Sequence, residues 1–275
     1  MGRLKVAKKD VFSGTTALIT GASSGLGAEF ARELARRHAN LVLTARSRDK
    51  LEQLATDLAR VNGVAVQVIV QDLAEPDGAS LLAKELKTRG IAVDHLINNA
   101  GFGTAGRFEG LDVEREARMV RVNCESVVVL SRALLRGMLD RKRGGILNVA
   151  STSGHQPTPF MTTYGASKAF VLSFTLALAE ELRGSGVHAL VLCPGPVPTG
   201  FQAAASISES AVVSFAQLDA HTVVERALDA YASRVVLKTP GLVNSVQTLA
   251  SKVLPRSLII RAARLTMTRL GRIAT

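Results

Sequence analysis

Short apolar runs alternate along the chain with stretches of helical periodicity. Thr15–Thr20 (TTALIT) is apolar and β-branched and runs into glycines, which predicts a buried strand. In Gly25–His38, Leu26, Phe30 and Leu34 recur at helical spacing among alanines. Leu41–Thr44 predicts a second strand, and Asp49–Val61, with Leu51, Leu54 and Leu58 on one side, a second helix. Val64–Val70 and Pro76–Arg89 repeat the pair, and His95–Asn98 (HLIN) adds a fourth strand. Val113–Leu139 reads as one long helix, Gly145–Ala150 as a strand, Tyr164–Arg183 as a helix and Val187–Cys193 as a strand closed by Pro194, Pro196 and Pro198. These strands are apolar throughout instead of alternating, as in a parallel sheet covered on both faces. The expected fold is therefore α/β, a single doubly wound domain. Neither a 20–50-residue repeat nor a Pro/Ser-rich linker interrupts it. The expected organisation is a basic segment at 1–12, one domain over 13–233 and an extension over 234–275.

The 275 residues suit one such domain, and 47% hydrophobic with 21% charged residues is a globular balance. Aromatics are only 4% and Trp is absent, which disfavours a stacking platform for single-stranded nucleic acid. The net charge of +11 is unevenly placed. Residues 13–229 are balanced, whereas residues 230–275 hold eight basic residues and no acid. Cys124 and Cys193 fall in apolar segments and read as small packed side chains. No apolar run approaches the ~20 residues of a membrane span, and the basic N-terminus lacks a signal-type apolar core. A reduced, cytoplasmic setting is expected, with the basic ends free to touch a membrane periphery.

The candidate chemistry begins after the first strand. Gly21, Ser23, Ser24, Gly25, Leu26 and Gly27 form a glycine turn that opens a helix. Such a turn lets a phosphate approach backbone N–H groups at a positive helix end. After the second strand stands Arg46, with Arg48 and Lys50 nearby, where a carboxylate would read a ribose 2′-OH; an anion such as the 2′-phosphate of NADP(H) suits these cations. Solvated charges at a helix start are the alternative. Asp72, beside Leu73, is placed either to bind an adenine or to cap a turn. Asn99, Ala100 and Gly101 end the fourth strand, where they allow close approach of a ligand. Tyr164 and Lys168 stand four residues apart, on one helix face, so the ammonium can act on the acidity of the phenol. Ser151 lies at a strand's carboxyl end, where it can donate to a carbonyl oxygen or simply cap a turn. Asn123 sits within a helical pattern that gives Asn little reason to be there. No His or Cys spacing suggests a metal.

These pieces run in one order: Thr20–Gly27 (TGASSGLG), Asp72-Leu73, Asn98–Gly101 (NNAG), Asn123, Ser151, Tyr164-x-x-x-Lys168 and Pro194-Gly195. Together they resemble the short-chain dehydrogenase/reductase family, from about residue 13 to 201, and the bacterial 3-oxoacyl-carrier-protein reductases and hydroxysteroid dehydrogenases in particular. The resemblance implies a Rossmann fold of about seven parallel strands, an NADP(H) cofactor and a homo-dimer or homo-tetramer. It implies Tyr164 as general acid/base, Lys168 tuning it and binding the nicotinamide ribose, Ser151 orienting the carbonyl and Asn123 holding a relay water. Pro194, Gly195, Val197 and Thr199 would line the nicotinamide end, and residues 200–216 would form a substrate lid. The reaction implied is hydride exchange between nicotinamide and a carbonyl or secondary alcohol. The departure is at the end: Val235–Leu237 fits the last strand, but Lys238-Thr239-Pro240-Gly241 and a long tail follow.

Phe201–Phe215 carries only Glu209 as a charge, which suits a small hydrophobic carbonyl compound. Phe102, His155, Pro157, Pro159 and Phe160 are expected to border the same cleft. In the tail, Arg261, Arg264, Arg269 and Arg272 cluster on one side of a predicted helix, with Ile259, Ile260, Ala263, Met267 and Leu270 on the other. That helix either lies on an anionic membrane or docks on the body or a sister subunit. A non-catalytic NADP-bound sensor or membrane scaffold is the rival to an enzyme. Nucleic acid is disfavoured by the neutral body.

Overall fold

The computed structural model describes residues 10–198 and 217–269. Seven parallel strands form one sheet: β1 (Thr16–Thr20), β2 (Asn40–Ala45), β3 (Val66–Val70), β4 (His95–Asn98), β5 (Gly145–Val149), β6 (His188–Leu192) and β7 (Leu237–Lys238), in the order β3-β2-β1-β4-β5-β6-β7. The crossover between β3 and β4 carries the chain back across β1, so the sheet has a switch point where the β1 and β4 ends diverge.

Successive strand residues face opposite sides, and both sides are buried. Ile19, Leu41, Leu43, Ile97 and Leu147 face one core, beneath α1 (Gly25–Arg36), α2 (Arg48–Asn62) and α7 (Ala220–Ala232). Leu18, Val42, Leu96 and Ile146 face the other, beneath α3 (Gly78–Thr88), α5 (Ser126–Asp140) and α6 (Thr162–Glu181). Each fully buried aliphatic side chain contributes roughly 1.5–3 kcal/mol of transfer free energy, which is why the apolar strand runs outlast local propensity.

Two elements depart from expectation. The helix expected over Val113–Leu139 is α4 (Val113–Val120) and α5, separated by a π-helical turn at Arg121–Glu125. The last strand lies at Leu237–Lys238, pairing with Val191 and Leu192, and not over Val235–Leu237. Arg234 adopts a left-handed φ of 57° and Val235 N donates to Ala230 O at 2.9 Å, so Val235 still belongs to the turn that ends α7. Two further helices follow, α8 (Leu242–Val253) and α9 (Arg256–Arg269).

At the amino ends of the strands, Phe12, His95, His188 and Tyr231 form a ring cluster. The Tyr231 hydroxyl lies 2.8 Å from His95 Nδ1, and burial pushes the phenol up, so Tyr231 keeps its proton in this pair. Burial also pushes His95 down to about 4, against the pull of Asp94 and Asp10 and with the push of Arg143. A folded pKa below the unfolded value of about 6.5 means the unfolded chain binds the extra proton between them. Stability is therefore full above about pH 6.5 and falls towards pH 4, by about 3 kcal/mol from this residue. Denaturant titrations at pH 7 and 4.5 should show a His95→Phe variant losing markedly less stability on acidification than the parent. Parallel losses would assign the acid sensitivity elsewhere.

Candidate active site

The carboxyl ends of β1, β2, β4, β5 and β6 open on one cleft of about 620 Å³. Its first wall is the turn from β1 into α1. Gly21 has φ 67°, and a Cβ there would come within 2.9 Å of Ala100 Cα. A Cβ on Gly27 would collide with the Gly21 carbonyl oxygen and sit 2.6 Å from Asn99 Nδ2. Only bare backbone lets α1 start this close to the strand. The β1 and β4 ends are bolted together: Thr20 Oγ1 accepts from Asn99 N at 3.0 Å and Ala100 N at 2.9 Å, and Asn99 Nδ2 donates to Thr20 O at 2.9 Å. The Ser24 side chain does not cap α1, so the N–H groups of the first turn, which have no partner inside the helix, face the cleft.

Gly21, Ser23, Ser24, Gly25, Leu26, Arg46, Asp72 and Leu73 border this half. Arg46 is exposed and makes no hydrogen bond or ion pair with any described residue. Arg48 is engaged by Glu52 at 3.2 Å. Asp72 serves a turn and an ion pair at once: Oδ1 accepts from Ala74 N at 2.8 Å and Oδ2 lies 3.0 Å from Arg118. Arg115 and Arg118 also border the cleft, and sequence reasoning did not find them; nothing in the α4 pattern signals a partner 46 residues upstream.

The second half gathers the predicted acid/base set. Ser151 follows β5 and begins a one-turn 3-10 helix, Thr152–His155, its Oγ accepting from Ser153 N at 3.1 Å. Tyr164 and Lys168 occupy the first turns of α6, both buried. Lys168 Nζ donates to Val149 O at 2.8 Å and lies 5.8 Å from the Tyr164 ring centre. Burial pushes the Tyr164 phenol up to about 12, partly offset by its hydrogen bond with Ser151. Burial pushes the Lys168 ammonium down to about 8. Gly101 leaves room for that ammonium: a Cβ would come within 3.3 Å of Nζ.

Asn123 lies in the π-helical turn, behind the cleft wall. Its Oδ1 accepts from Phe102 N at 3.1 Å, and its Nδ2 donates to Phe102 O at 3.0 Å and Ser167 Oγ at 2.9 Å. The side chain thus fixes the loop after β4 to α6. Asn98 ties β4 to β5 through Asn148 (2.9 Å), which continues to Thr175 (2.9 Å). Pro194, Gly195 and Val197 border the cleft beside Ala100 and Gly101. Thr199 and the 200–216 segment lie outside the described residues. Of the expected substrate-side group, Phe102 borders the cleft and Phe160 packs near it, whereas His155, Pro157 and Pro159 are not part of its lining. An apolar cluster of Met119, Met161 and Met267 covers Tyr164; Met267 comes from α9.

A glycine turn at the head of α1, an end-of-strand serine and a Tyr–Lys pair on one helix face, all at the carboxyl edge of a parallel sheet, mark a dinucleotide-type fold with a buried acid/base centre. The family model described as short chain dehydrogenase matches residues 15–210, and the chain belongs to that family. The chain is 36% identical over 191 residues to a very-long-chain 3-oxoacyl-CoA reductase of Anas platyrhynchos, covering 68% of this chain and 61% of that protein. The match thus spans about three-fifths of that relative's length. Among solved structures, a short-chain dehydrogenase from Sphingobium yanoikuyae in complex with NADPH superposes with TM-score 0.76 at 29% identity, covering 88% of this chain and 97% of that one. A 7β-hydroxysteroid dehydrogenase reaches TM-score 0.83 at 25% identity, covering 92% and 98%.

Proposed function

We propose that the protein is an NADP(H)-dependent oxidoreductase that interconverts a hydrophobic carbonyl compound, a bulky ketone or a 3-oxoacyl group, and its secondary alcohol. The observation that carries this reading is the buried Tyr164, hydrogen-bonded to Ser151 and faced by Lys168, in the same cleft as the glycine turn and Arg46. The cleft residues fit the cofactor. Gly21 and Gly27, lacking side chains, let the turn and the head of α1 close on the strand, Ser23, Ser24, Gly25 and Leu26 lie at the α1 start where backbone N–H groups can meet a pyrophosphate, and Arg46 supplies an unengaged guanidinium for a 2′-phosphate. Asp72 and Leu73 would take the adenine side, Asn99–Gly101 the centre, and Pro194, Gly195 and Val197 the nicotinamide side, where Thr199, outside the described residues, is also expected. When bound, the cofactor supplies or accepts the hydride.

At the other end Tyr164 gives a proton to the carbonyl oxygen or takes one from the alcohol, and Ser151 donates to that oxygen as negative charge develops. Lys168 holds positive charge beside the phenol, and Asn123 positions the adjoining loop and a proton path. The catalytic unit in this reading is residues 13–233, with 200–216, outside the described residues, as its expected substrate lid and 234–275 as a basic helical extension. The NADPH complex of the Sphingobium relative and the 3-oxoacyl name of the avian one agree with this choice of cofactor and substrate class.

Loss of nicotinamide absorbance is the direct test. Purified protein with NADPH should turn over bulky hydrophobic ketones or 3-oxoacyl thioesters, and charged hydrophilic ones at least about tenfold less well. Tight NADPH binding without turnover across such a panel would replace the enzyme with a cofactor-bound sensor.

A further inference from the structure

The first of the two C-terminal helices is inside out. α8 buries polar side chains: Asn244 is 2% exposed and Thr248 is buried beside it. Asn244 Nδ2 donates to Pro240 O at 2.9 Å, and a Cβ on Gly195 would come within 2.6 Å of Asn244 Cγ, so this side of α8 closes on the loop that borders the cleft. The opposite side carries Leu242, Val246, Leu249 and Val253, spaced by four, three and four residues, which is one continuous stripe. These four are 82%, 59%, 63% and 77% exposed, and Leu254, Leu258 and Leu265 extend the apolar surface onto α9. Single exposed leucines are ordinary; a helix that buries Asn and exposes Leu is built for an apolar partner.

α9 adds charge of one sign. It buries Ile259 and Met267 and exposes Arg256, Arg261 and Arg264, none of which makes a hydrogen bond or ion pair with a described residue. No acidic residue follows Asp229 anywhere in the chain. We propose that the α8–α9 face docks on an anionic lipid bilayer, with the Leu/Val stripe at the acyl boundary and the arginines among the headgroups. Charge complementarity selects this occupant. A second copy of the chain would set an acid-free face against an acid-free face, whereas an anionic bilayer offers apolar depth and negative charge together. The helices lie on the membrane and do not cross it, since no helix among the described residues is long and apolar enough to span. Because α8 closes on Gly195 and α9 places Met267 in the buried cluster that holds Tyr164, docking would set the cleft beside the bilayer, where an apolar carbonyl compound is dissolved. That consequence rests on the catalytic reading; the docking itself does not.

The test is flotation of the full-length protein with vesicles of phosphatidylcholine, alone or mixed with phosphatidylglycerol. The protein should float with the anionic vesicles only, and less as salt rises. Val246→Glu with Leu249→Glu should cut the bound fraction about tenfold or more. Replacing Arg256, Arg261 and Arg264 together by Gln should weaken binding and flatten its salt dependence, which keeps the test open if the first variant folds poorly. Reduction of a water-soluble ketone in vesicle-free buffer should stay within about twofold in both variants, since none of these side chains borders the cleft. Absence of anionic-vesicle binding, or binding untouched by both variants, overturns the proposal. So does a homodimer that the paired Glu substitutions dissociate, which would make the face a contact between copies. Vesicle binding by a protein inert towards carbonyls would sink the catalytic reading alone.

Discussion

Tyr164→Phe is expected to lower turnover by about 10²–10⁴-fold while NADPH still binds with nearly unchanged affinity. The substitution deletes one oxygen and keeps the ring. Met119, Met161 and Met267 share one buried cluster with that ring, so the cluster survives and the fold should not move. Lys168 keeps its bond to Val149 O. What disappears is the hydroxyl that is both hydrogen-bonded to Ser151 and faced by the ammonium. Burial holds the phenol at about 12, so Tyr164 carries its proton at neutral pH and is set to donate it to a carbonyl oxygen. Tyr164 is then in the form that carbonyl reduction needs near neutrality, and alcohol oxidation should speed up as alkaline pH frees the phenolate. NADPH titration by fluorescence, beside steady-state turnover, separates the two effects. A variant that turns over at the parent rate would remove Tyr164 from the chemistry; one that no longer binds NADPH would point to collapse of the site.

The strands are legible because central parallel strands are buried on both faces. β1, β2, β4 and β6 show it as short runs with adjacent apolar residues at their centres, which need no partner to be recognised. The Tyr164–Lys168 pair and Ser151 are equally local signals, fixed by helical spacing and by a strand's carboxyl end. What escapes the pattern depends on geometry that leaves the pattern intact. A π-helical turn at Arg121–Glu125 adds one residue per turn without changing which residues are apolar, so α4 and α5 read as one helix. The stop after α7 is made by Arg234 in a left-handed conformation where a glycine would have announced it, and the β-branched Val235-Val236 then draws the strand two residues early. The buried cluster that brings Met267 and Tyr164 together and the ion pair of Arg118 with Asp72 join residues far apart in the chain. The apolar stripe of α8 has the spacing of an ordinary buried face, and only the fold turns it outwards.

Arg46→Asp is expected to swing the ratio of catalytic efficiencies, NADPH over NADH, by about a hundredfold. Arg46 borders the cleft at the end of β2 and is engaged by no described residue, whereas its neighbours are occupied: Arg48 by Glu52, Arg118 by Asp72 and Glu75. A guanidinium on a 2′-phosphate makes charge-assisted hydrogen bonds of about 1.5–3 kcal/mol, and the new carboxylate adds repulsion. Exposure lets water and salt screen the pair, so the lost hydrogen bonds and the new repulsion together come to about 3 kcal/mol, or two decades. The same carboxylate can accept from the ribose 2′-OH of NADH, so efficiency with NADH should rise while that with NADPH falls. Because the Arg46 side chain packs on nothing described, the thermal midpoint should stay put, and any loss with NADPH is then recognition and not damage. Measuring kcat/KM for both cofactors with one carbonyl substrate, at low and high salt, decides it. An unchanged ratio would mean that Arg46 is a solvated charge at a helix start, and the reading of the 2′-phosphate would pass to Arg115 and Arg118 on the facing wall.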